Sequence, residues 1–339
     1  MNPDPAGAAH HRDDSFMRPM PGALRSPRHD LQQRLQPLRR TSQAVFMGLF
    51  VLAPAFNLLR FDLNETQLWF LGMRWSLGID AFQRGEISAL AAGWGIFWRG
   101  ILPALGVVMA FLAVAYHWGR VYCGWLCPHF SMVETLNALL HRATGKLSLW
   151  DKARTPKPGH HAQGRWWPVF LASCLLCGFV WATTLLTYLL PPTEIWRNLM
   201  QWTLTPNQAR FIGIGTILFT LEFAVARHLF CRFGCAVGLF QSLAWMANPR
   251  GMVVAFERER ARECRTCDAP RGSACDHHCP MRLHPRNIKR MMFACVQCGQ
   301  CLTACAESQA IQARAPSLEW RVGVEAIRET LRQRRDGAP

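Results

Sequence analysis

The densest chemistry lies in eight of the 14 cysteines. Cys264, Cys267, Cys275 and Cys279 form C-x2-C-x7-C-x3-C, followed by Pro280. Cys295, Cys298, Cys301 and Cys305 form C-x2-C-x2-C-x3-C. The second spacing is that of bacterial two-cluster iron–sulfur proteins. Three thiolates on one tight loop hold three irons of a cubane. The fourth, at the start of a short helix, points away to the neighbouring cluster. The crossed assignment gives Cys264, Cys267, Cys275 and Cys305 to cluster 1, and Cys295, Cys298, Cys301 and Cys279 to cluster 2. The other reading is a pair of zinc knuckles, since four-cysteine zinc sites also use C-x2-C. The x2-x2-x3 run and the proline after Cys279 favour two [4Fe–4S] clusters. The gap before Cys275 reads as a longer loop, and Ala306 stands where a proline is common.

Two further pairs share a different spacing. Cys123 and Cys127 are followed by Pro128, while Cys231 and Cys235 are followed by Ala236. Each C-x3-C lies just beyond an apolar run and a basic residue, Arg120 or Arg227. The chain therefore reads as two hairpins in a weak repeat, with Cys123 and Cys231 108 residues apart. Parallel repeats commonly pack about an axis along the membrane normal, which would bring four thiols together. In a helix, i and i+4 share a face, so each pair suits metal or cluster ligation, dithiol–disulfide cycling, or incidental packing. Cys174 and Cys177 lie inside an apolar run and read first as small core residues, second as redox or metal groups. Glu222 is a carboxylate within another such run, functional by default in that setting. It can accept a quinol proton, or pair with a basic group near the inner face. His117 and His228 are ligand or proton-handling candidates, or interfacial histidines.

The elements that position these groups are long apolar runs, at roughly Gln43–Leu59, Gly100–Trp118, Pro168–Leu190 and Phe211–Phe230. A bilayer needs about 20 helical residues, whereas buried soluble helices are shorter and alternate with polar faces. Four membrane helices are expected. Residues 1–42, rich in Pro and Arg, read as a mobile tail, and no signal peptide is expected.

Apolar types form 50% of the chain and charged types 18%, against an ordinary cytosolic enzyme. The net charge of +16 follows topology. Lys and Arg number seven in 1–42, four in 60–99, seven in 119–167, two in 191–210 and seventeen after 230. That alternation puts both termini in the cytoplasm by the positive-inside rule, so nucleic acid is not an expected partner. Twelve of the 14 cysteines then face a reducing compartment, which favours metal or redox use over disulfides. Arg265, Arg271, Arg282, Arg286, Lys289 and Arg290 surround the cluster cysteines, either as a patch for an acidic partner or as a solvated face.

With Cys123-Gly-Trp-Leu-Cys127-Pro128, Cys231 to Cys235, the following Leu239-Phe240-Gln241-Ser242 and the two cysteine runs, residues 40–310 resemble the NapH/CcoG/NosR-type membrane polyferredoxins. The segment from Phe61 to Trp75 resembles the outer loop of the oxidase accessory members. Neither their further extracytoplasmic domain nor the flavin-binding domain of the NosR type is expected here.

The resemblance implies a mostly α fold. An integral membrane four-helix bundle (43–250) leads into a small cytoplasmic ferredoxin-like α+β domain with two clusters (251–312). Residues 313–339 would be an amphipathic tail, on the membrane surface or on that domain. The implied setting is the bacterial inner membrane. The implied role is a redox subunit or accessory protein, not a stand-alone enzyme. It would pass electrons between a quinol or cytosolic donor and a redox partner or metalloenzyme subunit. The alternatives are cofactor assembly by copper reduction, since thiolate pairs suit Cu(I), and a non-redox zinc scaffold.

Overall fold

The computed structural model describes residues 27–65, 67–151, 162–267 and 273–336. Residues 1–26 of the expected tail and Arg271 lie outside them, as does the side chain of Arg265. The first element is α1 (Pro27–Leu52). The chain turns at Pro54 into β1 (Leu59–Asp62), β2 (Gln67–Phe70) and β3 (Met73–Trp75), an antiparallel meander. Then follow α2 (Ala89–Trp118), α3 (Pro128–Thr144), α4 (Trp166–Thr187), α5 (Pro206–Ala226) and α6 (Ala236–Ala247). The cysteine-rich domain holds β4 (Val253–Phe256), α7 (Gln300–Ala310), β5 (Leu318–Arg321) and α8 (Val324–Asp336).

Among the described residues, α2, α4 and α5 are long and apolar enough to cross a bilayer, at 30, 22 and 21 residues. Their outer faces expose Leu105, Met109, Leu171, Leu175, Ile214 and Ile217, the surface that lipid accepts and water does not. The protein is a membrane protein. The first apolar run is helical only to Leu52, and Asn57 takes a left-handed φ of 51° as the chain turns into β1. The helix extends backwards instead, so residues 27–42, expected as a mobile tail, are its first half. Arg39, fully buried against the cysteine-rich domain, explains why.

α4 and α5 pack backbone to backbone. A Cβ on Gly178 would lie 2.6 Å from Thr220 Oγ1 and 2.9 Å from the Thr216 carbonyl oxygen, the small-residue contact that drives helix association in lipid. The β1–β3 meander caps one end of this pair, with Phe61 N–H donating to Tyr188 O at 2.9 Å. Both cysteine pairs and the cysteine-rich domain occupy the other end.

In that domain β4 pairs antiparallel with β5, from Val253↔Arg321 to Phe256↔Leu318. The two strands bracket both cysteine runs. The C-terminal segment packs on it. Ala326, Glu329 and Gln333 of α8 are buried, Arg321 Nη1 meets Glu329 Oε2 at 3.0 Å, and Gln333 Oε1 accepts from Lys289 N–H at 3.2 Å.

Candidate metal centres

The loop leading into α7 is shaped by two left-handed residues, Gln297 (φ 53°) and Gly299 (φ 71°). They fold it back so that Cys295, Cys298 and Cys301 line one small, mostly apolar cavity together with Cys279. Every pair among these four thiols lies within electrostatic reach. One helical turn along, Cys305 faces Cys264, Cys267 and Cys275 instead. The sulfurs receive local hydrogen bonds: Leu283 N–H donates to Cys279 at 3.3 Å and Ala274 N–H to Cys267 at 3.2 Å. Ser273 Oγ lies 3.2 Å from the Cys275 sulfur. Burial pushes the Cys279, Cys295 and Cys298 thiols up to about 12.

All 14 cysteines are free. Among the described residues no three His, Cys, Asp or Glu side chains converge on a single ion. The four thiols line one cavity. A zinc ion needs its sulfurs about 2.3 Å away, whereas a cubane takes one thiolate at each corner. The four-thiol donor set around one cavity fits a four-iron cluster.

The two C-x3-C pairs occupy matched positions. Cys123 lies in the short helix Val121–Trp125, and Cys127 is the N-cap of α3. Cys231 lies in the turn Phe230–Gly234, and Cys235 is the N-cap of α6. Ala236 replaces proline without changing that geometry: ψ is 117° at Cys127 and 108° at Cys235. The structure brings all four thiols together, each within electrostatic reach of the other three. Gln241 Nε2 donates to Cys123 Sγ at 3.4 Å.

The first pair also touches the cysteine-rich domain. A Cβ on Gly124 would stand 2.2 Å from Val296 O, and Trp125 Nε1 donates to Gln297 O at 3.0 Å. Behind this contact Glu134 of α3 joins three elements. It accepts from Arg39 Nη1 at 2.8 Å and Gln43 Nε2 at 3.2 Å on α1, and from Gln300 at the start of α7. Arg39 and Gln43 both donate to Gly124 O at 3.1 Å. Sequence reasoning missed this set, because nothing in spacing links residue 39 to 134 and 300.

It also missed His129. Its Nε2 lies 3.0 Å from Glu222 Oε2, and its Nδ1 lies 3.6 Å from Cys231 Sγ. Glu222 thus pairs with a histidine two residues beyond the first cysteine pair. Position after Cys127-Pro128 was the available signal. His228 is not part of this array. It is buried, and burial with Arg227 beside it lowers its pKa to about 4, so the ring is neutral. His117 stacks edge-on with Tyr116. Cys174 is fully buried among Phe170 and Phe223, with Cys177 packed against the same core, the small-hydrophobe role.

Of the basic residues around the cluster cysteines, Arg282 pairs with Asp151 at 3.1 Å and Arg286 with Asp276 at 3.2 Å. Lys289 is buried against the Trp245 and Asn248 carbonyls, while Arg290 faces solvent. Arg282, Arg286 and Lys289 of the expected basic patch are thus engaged in contacts within the chain.

Three comparisons bear on this arrangement. The profile of a family described as "4Fe-4S binding domain" matches residues 100–146. The ferredoxin-type protein NapH of Escherichia coli is 23% identical over 287 residues, 80% of this chain and 86% of its own length. The methylamine utilization ferredoxin-type protein MauN of Methylorubrum extorquens is 26% identical over 235 residues, 68% of this chain and 72% of its own. Protein RdxA of Cereibacter sphaeroides is 26% identical over 225 residues, 60% of this chain and 43% of its own. No solved structure matches. With its membrane helices and this match to a 4Fe-4S binding domain, the chain is similar to NapH-type membrane ferredoxin-type proteins.

Proposed function

We propose that the protein carries electrons at the membrane face through two [4Fe–4S] clusters in its cysteine-rich domain. Cluster 1 is held by Cys264, Cys267, Cys275 and Cys305, and cluster 2 by Cys279, Cys295, Cys298 and Cys301. The observation that carries this reading is the crossing of the runs: Cys279 shares a cavity with three cysteines of the second run, while Cys305 turns to the first. Such crossing is the ligand pattern of two-cluster ferredoxins. A bound cluster supplies one-electron transfer at a potential set by hydrogen bonds and burial. The chain supplies both through the N–H donors to sulfur and the apolar lining of Met281, Leu283 and Met292.

The relatives named as ferredoxin-type proteins support the same role. The basic loops lie at the end of the helices that carries the cysteines, which supports a cytoplasmic position for that end in a bacterial inner membrane. A redox partner docks there, and quinol is the membrane-side candidate donor. Electron paramagnetic resonance of anaerobically reduced vesicles tests the role. Signals from two interacting clusters are expected, and a silent spectrum with iron-free protein overturns it.

A further inference from the structure

The four thiols of Cys123, Cys127, Cys231 and Cys235 belong to neither proposed cluster, yet they gather at one place, between the membrane helices and the cysteine-rich domain. We propose that they hold a third redox centre, an iron–sulfur cluster shared between the two halves of the chain. The inference extends the electron-transfer reading and rests on it for the role of the centre, but not for its existence.

Several observations carry it. The first is the ligand set. Each half gives one cysteine from the turn after its membrane helix and one from the N-cap of the next helix. A sulfur at a helix N-terminus meets N–H groups that have no intrahelical partner. Gly238 N–H approaches Cys235 Sγ at 3.5 Å in this way. As in the cysteine-rich domain, the four thiols are mutual neighbours without converging on one ion. Four neighbouring thiols suit a cluster with one thiolate per corner.

The second is a buried cation. Arg120 is 1% exposed. Its Nη2 donates to Cys231 O at 2.6 Å, its side chain hydrogen-bonds the Cys123 thiol, and its Nε has no partner. None of these contacts is a carboxylate. A buried guanidinium without a counter-charge is costly, and a thiolate-bound cluster would supply that charge. The sequence keeps this space open: a Cβ on Gly238 would stand 1.9 Å from Arg120 Nη2. The guanidinium therefore sits between Cys123 and Cys231, from opposite halves, and Cys295 of proposed cluster 2 lies within its electrostatic reach.

The third is continuity. The Cys123–Cys127 segment is in backbone contact with the Cys295–Cys298 loop through Gly124 and Trp125. Ser242 of α6 donates to Phe293 O at 2.7 Å, joining the second half to the same loop. An electron leaving cluster 2 has a carrier beside it on the membrane side. The family profile described as a 4Fe-4S binding domain contains Cys123 and Cys127 but none of the eight downstream cysteines. One pair cannot complete a four-thiolate cluster, and Cys231 and Cys235 provide the missing half.

The test is iron and acid-labile sulfide content, with spin quantitation, on full-length protein purified anaerobically. Three clusters give about 12 irons per chain, four for each. Cys123→Ser/Cys231→Ser should lose one third of the iron while the other two signals stay, which also shows that the variant is folded. Cys298→Ser should leave the third signal in place. Arg120→Gln should lower the potential of the third centre more than those of the other two. About eight irons in the wild type, unchanged in Cys123→Ser/Cys231→Ser, overturns the proposal. Stoichiometric copper or zinc lost with those thiols also overturns it. Failure of the electron-transfer reading looks different: the iron content would be undiminished in Cys298→Ser and Cys305→Ser alike.

Discussion

A Cβ added to Gly124 would lie 2.2 Å from the carbonyl oxygen of Val296. The first C-x3-C motif therefore has glycine at its second position because the backbone of the cysteine-rich domain rests on it. Gly124→Val should force the loop away, costing about 1–3 kcal/mol as overpacking does. Thermal unfolding in detergent measures the loss. Cluster 2 should bleach before cluster 1 on exposure to air, because the displaced loop carries Cys295 and Cys298. Equal bleaching would contradict the contact.

The crossed ligand sets predict which cysteines fail together. Cys279→Ser and Cys301→Ser, though from different runs, should remove the same paramagnetic signal. Cys305→Ser should remove the other, together with Cys264→Ser. Loss grouped by run rather than by cavity would reject the pairing.

Glu134 ties α1 to α3 and α7 through Arg39, Gln43 and Gln300. Glu134→Leu leaves the guanidinium of fully buried Arg39 without its carboxylate. A broken buried pair of this kind costs about 3–5 kcal/mol. Arg39→Met/Glu134→Leu, which removes both charges, should recover most of that stability. The midpoint of thermal unfolding separates the two cases.

Lys289 provides a pH signature. Its Nζ donates to Asn248 O at 2.6 Å and Trp245 O at 3.1 Å, over the Trp245 ring. Burial lowers its pKa from 10.5 to about 8. Folding therefore carries the full cost of burying the ammonium below pH 8. Between about 8 and 10.5 the unfolded chain holds more protons than the folded one, so stability contributed by this site rises with pH across that window. Lys289→Met should flatten this rise, measured by unfolding midpoints at pH 7.5, 9 and 10.

The sequence alone determined what is local. Thiol spacing marked both cysteine runs, because a tight loop and one helical turn fix where consecutive sulfurs can point. Apolar length marked the stretches that became α2, α4 and α5, since a bilayer sets one dimension for any helix that crosses it. The 108-residue repeat foretold that Cys123 and Cys231 would meet.

Tertiary structure decided what depends on distant partners. Residues 27–42 looked like a tail because they are rich in Pro and Arg, and the charge of Arg39 reads as solvent-facing until Glu134 appears opposite. The pairing of residues 318–321 with 253–256 waited on β5 finding β4. His129, between Glu222 and Cys231, and Arg120, between Cys123 and Cys231, acquire meaning only when the two halves pack. A buried charge is balanced by whatever the fold brings beside it, and no local pattern records that.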